Sequence, residues 1–248
     1  MSNTKSIVVT GGAGEIGSAI CRKFAVHGYD VIVTYRSNAE RANRLLSSLS
    51  HGNHVAFKVP NTDVIKINKL KHFIQEQYGK VDILVNNAGI TTPVHHHDLD
   101  SLNDEWIDKI MQTNFRGAFA MVRALKELLL LSKEETSLVV NISSIAAVNG
   151  IGSNVAYCAS KAALDSMTRS LARALAPKIR VLSIAPGFVE GEYTENFEPS
   201  FVQMQKDKTP LGRLVKGEDV ADGVFAAATL LTHSTGSVIT VDGGRLLL

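Results

Sequence analysis

The sequence predicts a single-domain, doubly wound α/β protein with a parallel sheet of about seven strands and helices on both faces. Seven short runs rich in β-branched residues recur along the 248 residues, and segments with helical periodicity separate them. Apolar strands that alternate with helices of this kind are typical of parallel βαβ units. No repeat or low-complexity segment interrupts the alternation. One domain spanning residues 1–248 is therefore favoured over two.

The elements follow one another in a regular order. Strands are expected at Ser6–Thr10, Asp30–Tyr35, His54–Val59, Val81–Asn86, Ser137–Ser143, Ile179–Ala185 and Ser237–Gly244. Helices are expected at Gly17–His27, Ala39–Leu49, Ile67–Tyr78, Leu102–Leu131, Val155–Ala176 and Glu218–Leu231. Pro177 ends the fifth helix, because proline cannot continue it.

The segment 188–213 does not fit this alternation. It is polar and weakly periodic, and it contains glycine, proline and two clusters of charge. Long connections without regular structure in a compact domain are often functional. We therefore predict that residues 188–213 form a flexible lid over a site.

The composition argues against several classes of partner. The chain has 26 basic and 24 acidic residues, a formal net charge of +2 and 45% hydrophobic residues. This balance offers no electrostatic footprint for nucleic acid or an anionic membrane, and the leucine cluster 128–131 is too short to span a bilayer. The N-terminal MSNTK leads directly into a predicted strand, so no signal peptide is expected. A cytoplasmic location is expected, with Cys21 and Cys158 as reduced, packed thiols.

Three consecutive histidines, His95–His97, raise the question of a metal site. No second cluster of ligands accompanies them at a fixed spacing. We expect a polar loop at the mouth of a pocket and no metal, although these histidines could still contact a substrate.

Gly12, Gly14 and Gly17 form a Gly-x-Gly-x-x-Gly pattern between the first strand and the first helix. Glycines there allow a tight turn, and the helix N-terminus offers free N–H groups to a pyrophosphate. Glu15 interrupts the pattern with an acid. A carboxylate about 4 Å from a phosphate in a wet groove costs on the order of 1 kcal/mol, whereas the helix dipole favours it by roughly 0.3–1 kcal/mol. Glu15 either weakens binding several-fold or points to solvent.

The end of the second strand bears on which dinucleotide binds. An acid there would select NAD by bonding the ribose hydroxyls. The chain instead has Tyr35, Arg36 and Ser37. Since a guanidinium suits an extra 2′-phosphate, NADP(H) is preferred, NAD(H) is possible, and a solvated loop arginine is the alternative interpretation of Arg36.

Tyr157 and Lys161 are four residues apart in a predicted helix and therefore share a face. An ammonium beside a phenol lowers the phenol's pKa from about 10 towards working pH. Tyr157 is then suited to act as an acid in reduction and as a base in oxidation. Ser144, at the end of the fifth strand, can donate to a substrate oxygen, and strand alternation points Ser143 the other way.

Five motifs carry a resemblance that extends over the whole chain. They are TGGAGEIG at 10–17, NNAG at 86–89, TN at 113–114, YCASK at 157–161 with a serine thirteen residues before its tyrosine, and APG at 185–187. In these motifs the chain resembles the classical short-chain dehydrogenase/reductase family. The resemblance implies a Rossmann fold and an oxidoreductase that transfers hydride between a nicotinamide cofactor and a carbonyl or alcohol.

The resemblance also implies site residues. The expected catalytic residues are Asn114, Ser144, Tyr157 and Lys161. The expected cofactor-binding residues are Gly11, Gly12, Gly14, Ile16, Gly17, Tyr35, Arg36, Ser37, Asn61, Thr62, Asn87, Ala88, Gly89, Tyr157, Lys161, Pro186, Gly187 and Val189. Asn114 matches the family's asparagine that anchors a water for proton relay, and Lys161 matches the lysine that bonds the nicotinamide ribose.

Five positions depart from the family pattern. Glu15 replaces the middle glycine of the loop, Asn61-Thr62 replaces an Asp-Val pair that contacts adenine, and Leu182 replaces an asparagine. Gly191 replaces a threonine that helps hold the nicotinamide amide. This contact is left to the backbone of Val189 or to nothing, so the nicotinamide end is expected to be loosely held until the lid closes.

The segments 209–231 and 236–244 most resemble 3-oxoacyl-acyl-carrier-protein reductases of fatty acid biosynthesis. An acidic carrier protein would need basic residues near the entrance, for which Arg169 and Arg173 are candidates, whereas Glu134 and Glu135 are unfavourable. A free small-molecule alcohol or ketone is the alternative substrate, and a cofactor-binding scaffold without turnover is the alternative from another class. Family members pair their long helices between subunits, so a homotetramer is expected by resemblance.

Overall fold

The computed structural model describes residues 4–191, 194 and 197–247. Its centre is one parallel sheet of seven strands in the order β3-β2-β1-β4-β5-β6-β7. The strands are β1 Ser6–Val9, β2 Asp30–Tyr35, β3 Val55–Lys58, β4 Ile83–Asn86, β5 Ser137–Ile142, β6 Ile179–Pro186 and β7 Val238–Val241. All seven predicted strands are confirmed. The order reverses between β1 and β4, which opens a crevice at the carboxyl edge of the sheet, where ligands bind in folds of this kind.

Helices cover both faces of the sheet. They are α1 Glu15–Val26, α2 Ala39–Ser48, α3 Val64–Gln77, α4 Asp104–Met111, α5 Gly117–Leu130, α6 Ala146–Asn149, α7 Val155–Leu175, α8 Pro199–Asp207 and α9 Gly217–Thr229. The prediction that Pro177 ends the fifth helix is confirmed, since α7 stops at Leu175. No helix in the described part of the chain is long and apolar enough to cross a membrane.

Two hydrophobic clusters pack against opposite faces of the sheet. Ile7 and Val9 point to one face, where Phe24 of α1 and Val224 of α9 are fully buried. Val8 points to the other face, among buried residues of α3 and α5. This alternation along β1 places apolar side chains on both faces, as expected for a strand covered by helices on each side.

The prediction of one continuous α-helix over Leu102–Leu131 is wrong, because the structure divides this segment into two α-helices. α4 begins after Asn103, whose side chain accepts from the N–H of Trp106 at 3.0 Å. A π-helical turn, Gln112–Arg116, then separates α4 from α5. Such a turn inserts one residue into the helix and is frequent at functional sites. Here it contains Asn114, which is 1% exposed.

The segment 188–213 contains more regular structure than its composition indicates. α8 lies within it, and Val189 forms a parallel bridge with Val215. Phe201 of α8 packs against Phe197 and Phe188, with ring centroids 4.9 Å and 6.1 Å away. Four positions of the predicted lid (192, 193, 195 and 196) lie outside the described residues. The lid itself stays a prediction.

His95–His97 lie in an exposed loop, as predicted, with the rings of His95 and His97 stacked 5.5 Å apart. A ring nitrogen of His96 lies 3.1 Å from the carbonyl oxygen of Gly152, in the loop that leads into α7. Cys21 and Cys158 are both buried free thiols, as expected.

Candidate active site

The glycine loop between β1 and α1 requires glycine at two positions, Gly11 and Gly17. Gly11 has a φ of +61°, in the left-handed region that favours glycine. A Cβ on Gly17 would lie 2.5 Å from the carbonyl oxygen of Gly11 and 2.7 Å from the Cα of Gly12. The amide of Gly14 donates to the same Gly11 oxygen at 3.0 Å. The loop thereby brings the start of α1 directly above the end of β1.

The N-terminus of α1 has the features of a phosphate-binding site. Its N-cap, Gly14, makes no side-chain capping bond, so the N-cap residue does not occupy the first N–H groups of the helix. Ile16, which follows in the first turn, is half-buried against the core. This uncapped helix end beside a Cβ-free loop fits the pyrophosphate of a dinucleotide.

The end of β4 is joined to the glycine loop by hydrogen bonds. The side-chain amide of Asn87 donates to the carbonyl oxygens of Thr10 and Gly11 at 3.0 and 3.1 Å. The hydroxyl of Thr10 accepts from the N–H groups of Asn87 and Ala88, both at 3.0 Å. Asn87, Ala88 and the glycine loop, each predicted to bind the cofactor, therefore form one edge of the crevice.

Asn61 follows β3 at the same edge of the sheet and is buried. Its amide nitrogen donates to the carbonyl oxygen of Thr113, in the π-helical turn, at 2.9 Å. Thr62 beside it is half-buried. Asn61 therefore supports the turn that carries Asn114, a contact that the sequence did not predict.

Tyr35 is the last residue of β2, and Arg36 and Ser37, which follow it, are exposed. A cavity of about 360 Å³ lies between α1 and α2. Its lining includes Ala13 of the glycine loop and three arginines, Arg22, Arg41 and Arg44. Sequence reasoning missed these arginines, although Arg41 and Arg44 are three residues apart and thus share a face of α2.

Pro186 ends β6, and the residues after it continue along the crevice. The N–H of Gly187 donates to the carbonyl oxygen of Val241 at 3.0 Å, and a Cβ on Gly187 would lie 2.9 Å from the Cα of Asp242. The bridge of Val189 to Val215 places its backbone beside the start of α9. Pro186, Gly187 and Val189, which are predicted to bind the cofactor, thus lie at the carboxyl edge.

Lys161 is buried beneath the crevice, where its ammonium donates to the carbonyl oxygen of Ile142 at 2.8 Å. It lies 5.7 Å from the centre of the Tyr157 ring, so the two side chains share a face of α7 as predicted. Burial lowers the pKa of Lys161 to about 8, and the nearby carboxylate of Asp165 partly opposes that shift.

Asn114 is held by three hydrogen bonds. Its side-chain oxygen accepts from the N–H of Ile90 at 2.8 Å, and its amide donates to the carbonyl oxygen of Ile90 and the hydroxyl of Ser160, both at 3.0 Å. A Cβ on Gly89 would lie 3.4 Å from the Asn114 oxygen and 3.7 Å from the Lys161 nitrogen. The structure therefore brings Asn114, Gly89 and Lys161 together.

Ser144 and Ser143 face different surroundings, as strand alternation predicts. Ser143 is buried, and its hydroxyl donates to the carbonyl oxygen of Lys161 at 3.4 Å. Ser144 is partly exposed, and its hydroxyl oxygen accepts from the N–H of Ala146 at 3.2 Å. The Ser144 O–H is thus the one available towards the crevice.

Asn154 fixes the start of α7. It is 1% exposed, and its side-chain oxygen accepts from the N–H of Tyr157 at 2.7 Å. Its amide donates to the carbonyl oxygen of Thr92 at 2.7 Å, which joins the helix to the loop after β4. This N-cap, which sequence reasoning missed, sets the position of Tyr157. The sequence signal for this N-cap was an asparagine directly before the predicted helix that begins at Val155, because asparagine is a preferred N-cap residue.

A buried polar network lies behind these residues. The side chain of Asn86 donates to Asn141 at 2.9 Å, Asn141 donates to Thr168 at 2.8 Å, and the hydroxyls of Thr168 and Ser183 are 2.8 Å apart. Asp165, also buried, adjoins this network. Burial raises the pKa of Asp165, while hydrogen bonds from Ser143 and Ser183 oppose the shift. Sequence reasoning missed Asp165 as a neighbour of Lys161.

The arrangement is similar to that of known proteins over nearly the whole chain. A family model described as Enoyl-(Acyl carrier protein) reductase matches residues 11–245. The protein named "Granaticin polyketide synthase putative ketoacyl reductase 2", from Streptomyces violaceoruber, is 33% identical over 97% of this chain and 96% of its own length. The 3-oxoacyl-acyl-carrier-protein reductase FabG of Staphylococcus aureus is 30% identical over 100% of both chains.

A solved structure from Brucella melitensis, named as a short-chain dehydrogenase/reductase and glucose/ribitol dehydrogenase, has a TM-score of 0.90 and 29% identity. The match covers 97% of this chain and 96% of that one. With the parallel sheet and the crevice described above, these similarities show that the chain belongs to the short-chain dehydrogenase/reductase family of nicotinamide-dependent oxidoreductases.

Proposed function

We propose that this protein is an NADP(H)-dependent reductase of 3-oxoacyl thioesters, with Tyr157, Lys161, Ser144 and Asn114 as its catalytic residues. The observation that carries the proposal is the buried Lys161 ammonium, 5.7 Å from the centre of the Tyr157 ring and next to Gly89 at the crevice floor. A phenol and a buried ammonium on one helix face form an acid–base pair at the edge where a ligand binds.

The chemistry divides between these residues and the cofactor. When bound, the nicotinamide supplies the hydride for the carbonyl carbon. Tyr157 donates its hydroxyl proton to the carbonyl oxygen, and the Lys161 ammonium stabilises the phenolate that remains. Ser144 donates a hydrogen bond to the same oxygen and so stabilises the charge that develops there. Asn114 keeps Ile90 and the loop after β4 in place beside Lys161.

The preference for NADP(H) over NAD(H) is supported by charge. Arg36 is exposed just after β2, and the arginine-lined cavity adjoins the glycine loop at Ala13. Guanidinium groups bind phosphate oxygens through paired hydrogen bonds. Arg36 and the arginines of the cavity are therefore two candidate sites for an extra 2′-phosphate.

The carrier-linked substrate is supported by the name of the Staphylococcus aureus relative, a 3-oxoacyl-acyl-carrier-protein reductase, and by the position of two acids that were expected to oppose carrier binding. Glu134 and Glu135 precede β5 and so lie at the amino edge of the sheet, opposite the crevice. Glu134 also pairs with Lys5 at 2.9 Å. These acids therefore leave the crevice entrance open to an acidic carrier protein.

The two arginines considered for docking lie away from that entrance. Arg169 is twelve residues after Tyr157 on α7, which corresponds to about 18 Å along the helix axis. Arg173 is further still, near the end of α7 at the amino edge. This placement, together with the glucose/ribitol name of the Brucella relative, favours a free ketone or alcohol as the second candidate substrate.

Turnover of a panel of substrates tests the proposal. The panel is a 3-oxoacyl chain on acyl carrier protein, the same chain on a short thiol, and polyols with their ketones, each with NADPH and NADH. We expect the highest kcat/KM for the carrier-linked thioester with NADPH. A higher value for polyol or ketone would replace this substrate with the second candidate.

Tyr157→Phe tests the chemistry itself. It should lower kcat by about 100-fold or more, because the proton donor is lost, while the NADPH dissociation constant stays within about two-fold. Tyr78→Phe is the matched control, since its hydroxyl donates to the carbonyl oxygen of Asn53 far from the crevice. Dinucleotide binding without turnover on any substrate would favour a scaffold.

A further inference from the structure

The acid of the glycine loop contacts the segment that follows β6. Glu15 is the first residue of α1 and is exposed, yet its side chain does not simply point to solvent. A Cβ on Gly191 would lie 2.8 Å from Cγ, 3.1 Å from Cδ and 3.3 Å from Oε2 of Glu15. The carboxylate therefore extends from the glycine loop to Gly191 and lies directly against it.

Gly191 is held in place by its neighbours along the chain. The N–H of Glu190 donates to the carbonyl oxygen of Val215 at 2.8 Å, and the N–H of Val215 donates to that of Phe188 at 3.0 Å. The N–H of Gly191 donates to the hydroxyl of Thr194 at 2.9 Å. With a φ of +154°, Gly191 occupies a conformation that other residues rarely adopt. Glycine at this position leaves the space that the Glu15 side chain fills.

The backbone of Glu15 is enclosed as well. A Cβ on Gly217, the first residue of α9, would lie 3.2 Å from the Glu15 carbonyl oxygen. α1 and α9 pack together along this face. The Glu15 backbone is thus fixed between two elements, and its side chain is the part that can change position.

We propose that Glu15 is an internal anion that competes with the phosphates of the dinucleotide for the N-terminus of α1, and that Gly191 provides the space for its side chain. The inference rests on the proposed function, because it concerns binding of the nicotinamide dinucleotide. A carboxylate and a phosphate are both attracted by the uncapped N–H groups there and repel each other. Binding of the dinucleotide therefore moves the carboxylate away from Gly191.

The cavity beside the loop offers the displaced carboxylate a second position. Glu15 lines this cavity together with Arg22, Arg41 and Arg44. If the Glu15 carboxylate moved towards these arginines, it would lose its contact with Gly191 and gain favourable interactions with cations.

Dissociation constants from NADPH fluorescence titration test the competition. Glu15→Gln should tighten NADPH binding by about five-fold, because it removes one repulsive charge at the phosphates. Glu218→Gln is the matched control, since Glu218 is an exposed acid in the first turn of α9, and it should change the constant by less than about two-fold. Affinity for adenosine, which carries no phosphate, should be the same in Glu15→Gln and wild type.

The outcomes separate this inference from the proposed function. If wild type binds NADPH and Glu15→Gln matches Glu218→Gln or binds more weakly, the competition is wrong while the cofactor assignment stands. If wild type and both variants bind no nicotinamide dinucleotide, both proposals fail.

A double-mutant cycle tests the pairing with Gly191. Gly191→Ala alone should tighten NADPH binding several-fold, since its Cβ would take the space that the Glu15 side chain occupies before the dinucleotide binds. In the Glu15→Gly background the same substitution should not tighten binding, because no side chain is displaced. Thermal melting of all four proteins checks that they fold. Equal effects in the two backgrounds would show that the residues act independently and overturn the pairing.

Discussion

Lys161 and Asp165 are buried one helical turn apart on α7, and each opposes the effect of burial on the other's charge. Burial lowers the pKa of Lys161 to about 8, and Asp165 acts to raise it. Burial raises the pKa of Asp165, and Lys161 is among the groups that act to lower it. The carboxylate therefore helps to keep the ammonium that the proposed chemistry needs at Tyr157.

Asp165→Asn should move the alkaline limb of the pH–rate profile to lower pH. Without the carboxylate, the pKa of Lys161 falls further below 8, so the ammonium is lost at a lower pH. Activity at pH 6 should change least, and activity at pH 8 should fall most. The measurement is kcat against pH from 5.5 to 9.5.

Asp222→Asn is the control for this change. Asp222 is an exposed acid on α9 that pairs with Lys23 at 2.7 Å, remote from α7. Its profile should superimpose on that of wild type. An alkaline limb that stays in place in Asp165→Asn would mean that Asp165 has only a packing role.

Lys161→Met should stabilise the fold near neutral pH while it abolishes turnover. The folded-state pKa of Lys161 is lower than its ordinary value of 10.5, so the unfolded chain binds more protons between about pH 8 and 10.5. Stability rises with pH in that window, and below pH 8 the buried ammonium costs roughly 3 kcal/mol at most. The lost hydrogen bond to Ile142 offsets about 1 kcal/mol of the gain.

The free energy of unfolding by urea at pH 7 and at pH 10.5 checks this prediction. Lys161→Met should exceed wild type by about 1–2 kcal/mol at pH 7, and the difference should shrink at pH 10.5. Lys126→Met, at a half-exposed site on α5, should show no such pH dependence. A less stable Lys161→Met at pH 7 would contradict the assignment of a costly buried charge.

Gly17→Ala should abolish dinucleotide binding and destabilise the protein. Its Cβ would lie 2.5 Å from the Gly11 carbonyl oxygen, so the phosphate loop must open. We expect a loss of about 2 kcal/mol or more in the free energy of unfolding and no measurable NADPH titration. Gly28→Ala is the control that shows the effect of backbone strain without a steric clash, because Gly28 has a φ of +78° and no atom lies near its Cβ position. That variant should lose about 1 kcal/mol and bind normally.

The sheet and the ends of its strands were predictable because their signals are local. Alternating β-branched runs identify each strand, and a parallel sheet must place all their carboxyl ends at one edge. Tyr157 and Lys161 were predictable for the same reason, since helical spacing alone puts them on one face. These features need no knowledge of distant contacts.

The features that the sequence did not predict depend on contacts between distant segments. The π-helical turn directs the Asn114 side chain inward, where it bonds to Ile90 and Ser160. The spacing of apolar residues along the helix does not predict such a turn. The contact of Glu15 with Gly191 joins residues 176 positions apart. The helix within 188–213 has few buried residues of its own and is held partly by Arg245, which donates to the carbonyl oxygen of Gln205 at 2.8 Å. Periodicity therefore predicted only a loop there.

The cavity between α1 and α2 leads to a prediction about cofactor preference. Arg36→Gln and Arg41→Gln should each weaken NADPH binding by about ten-fold, because a charge-assisted hydrogen bond to the 2′-phosphate is worth about 1.5–3 kcal/mol. NADH binding should change by less than two-fold, since NADH lacks that phosphate. The measurement is the ratio of the two dissociation constants in each variant.

Arg123→Gln is the control, since Arg123 is an exposed arginine on α5 that lies 5.8 Å from the ring centre of Phe119 and far from the loop. A changed ratio in Arg41→Gln alone would place the 2′-phosphate in the cavity, whereas a changed ratio in Arg36→Gln alone would place it at the end of β2. If neither variant alters the ratio, the arginines do not select the cofactor and NAD(H) becomes the better assignment. The two substitutions thus separate a guanidinium that binds phosphate from one that is only solvated.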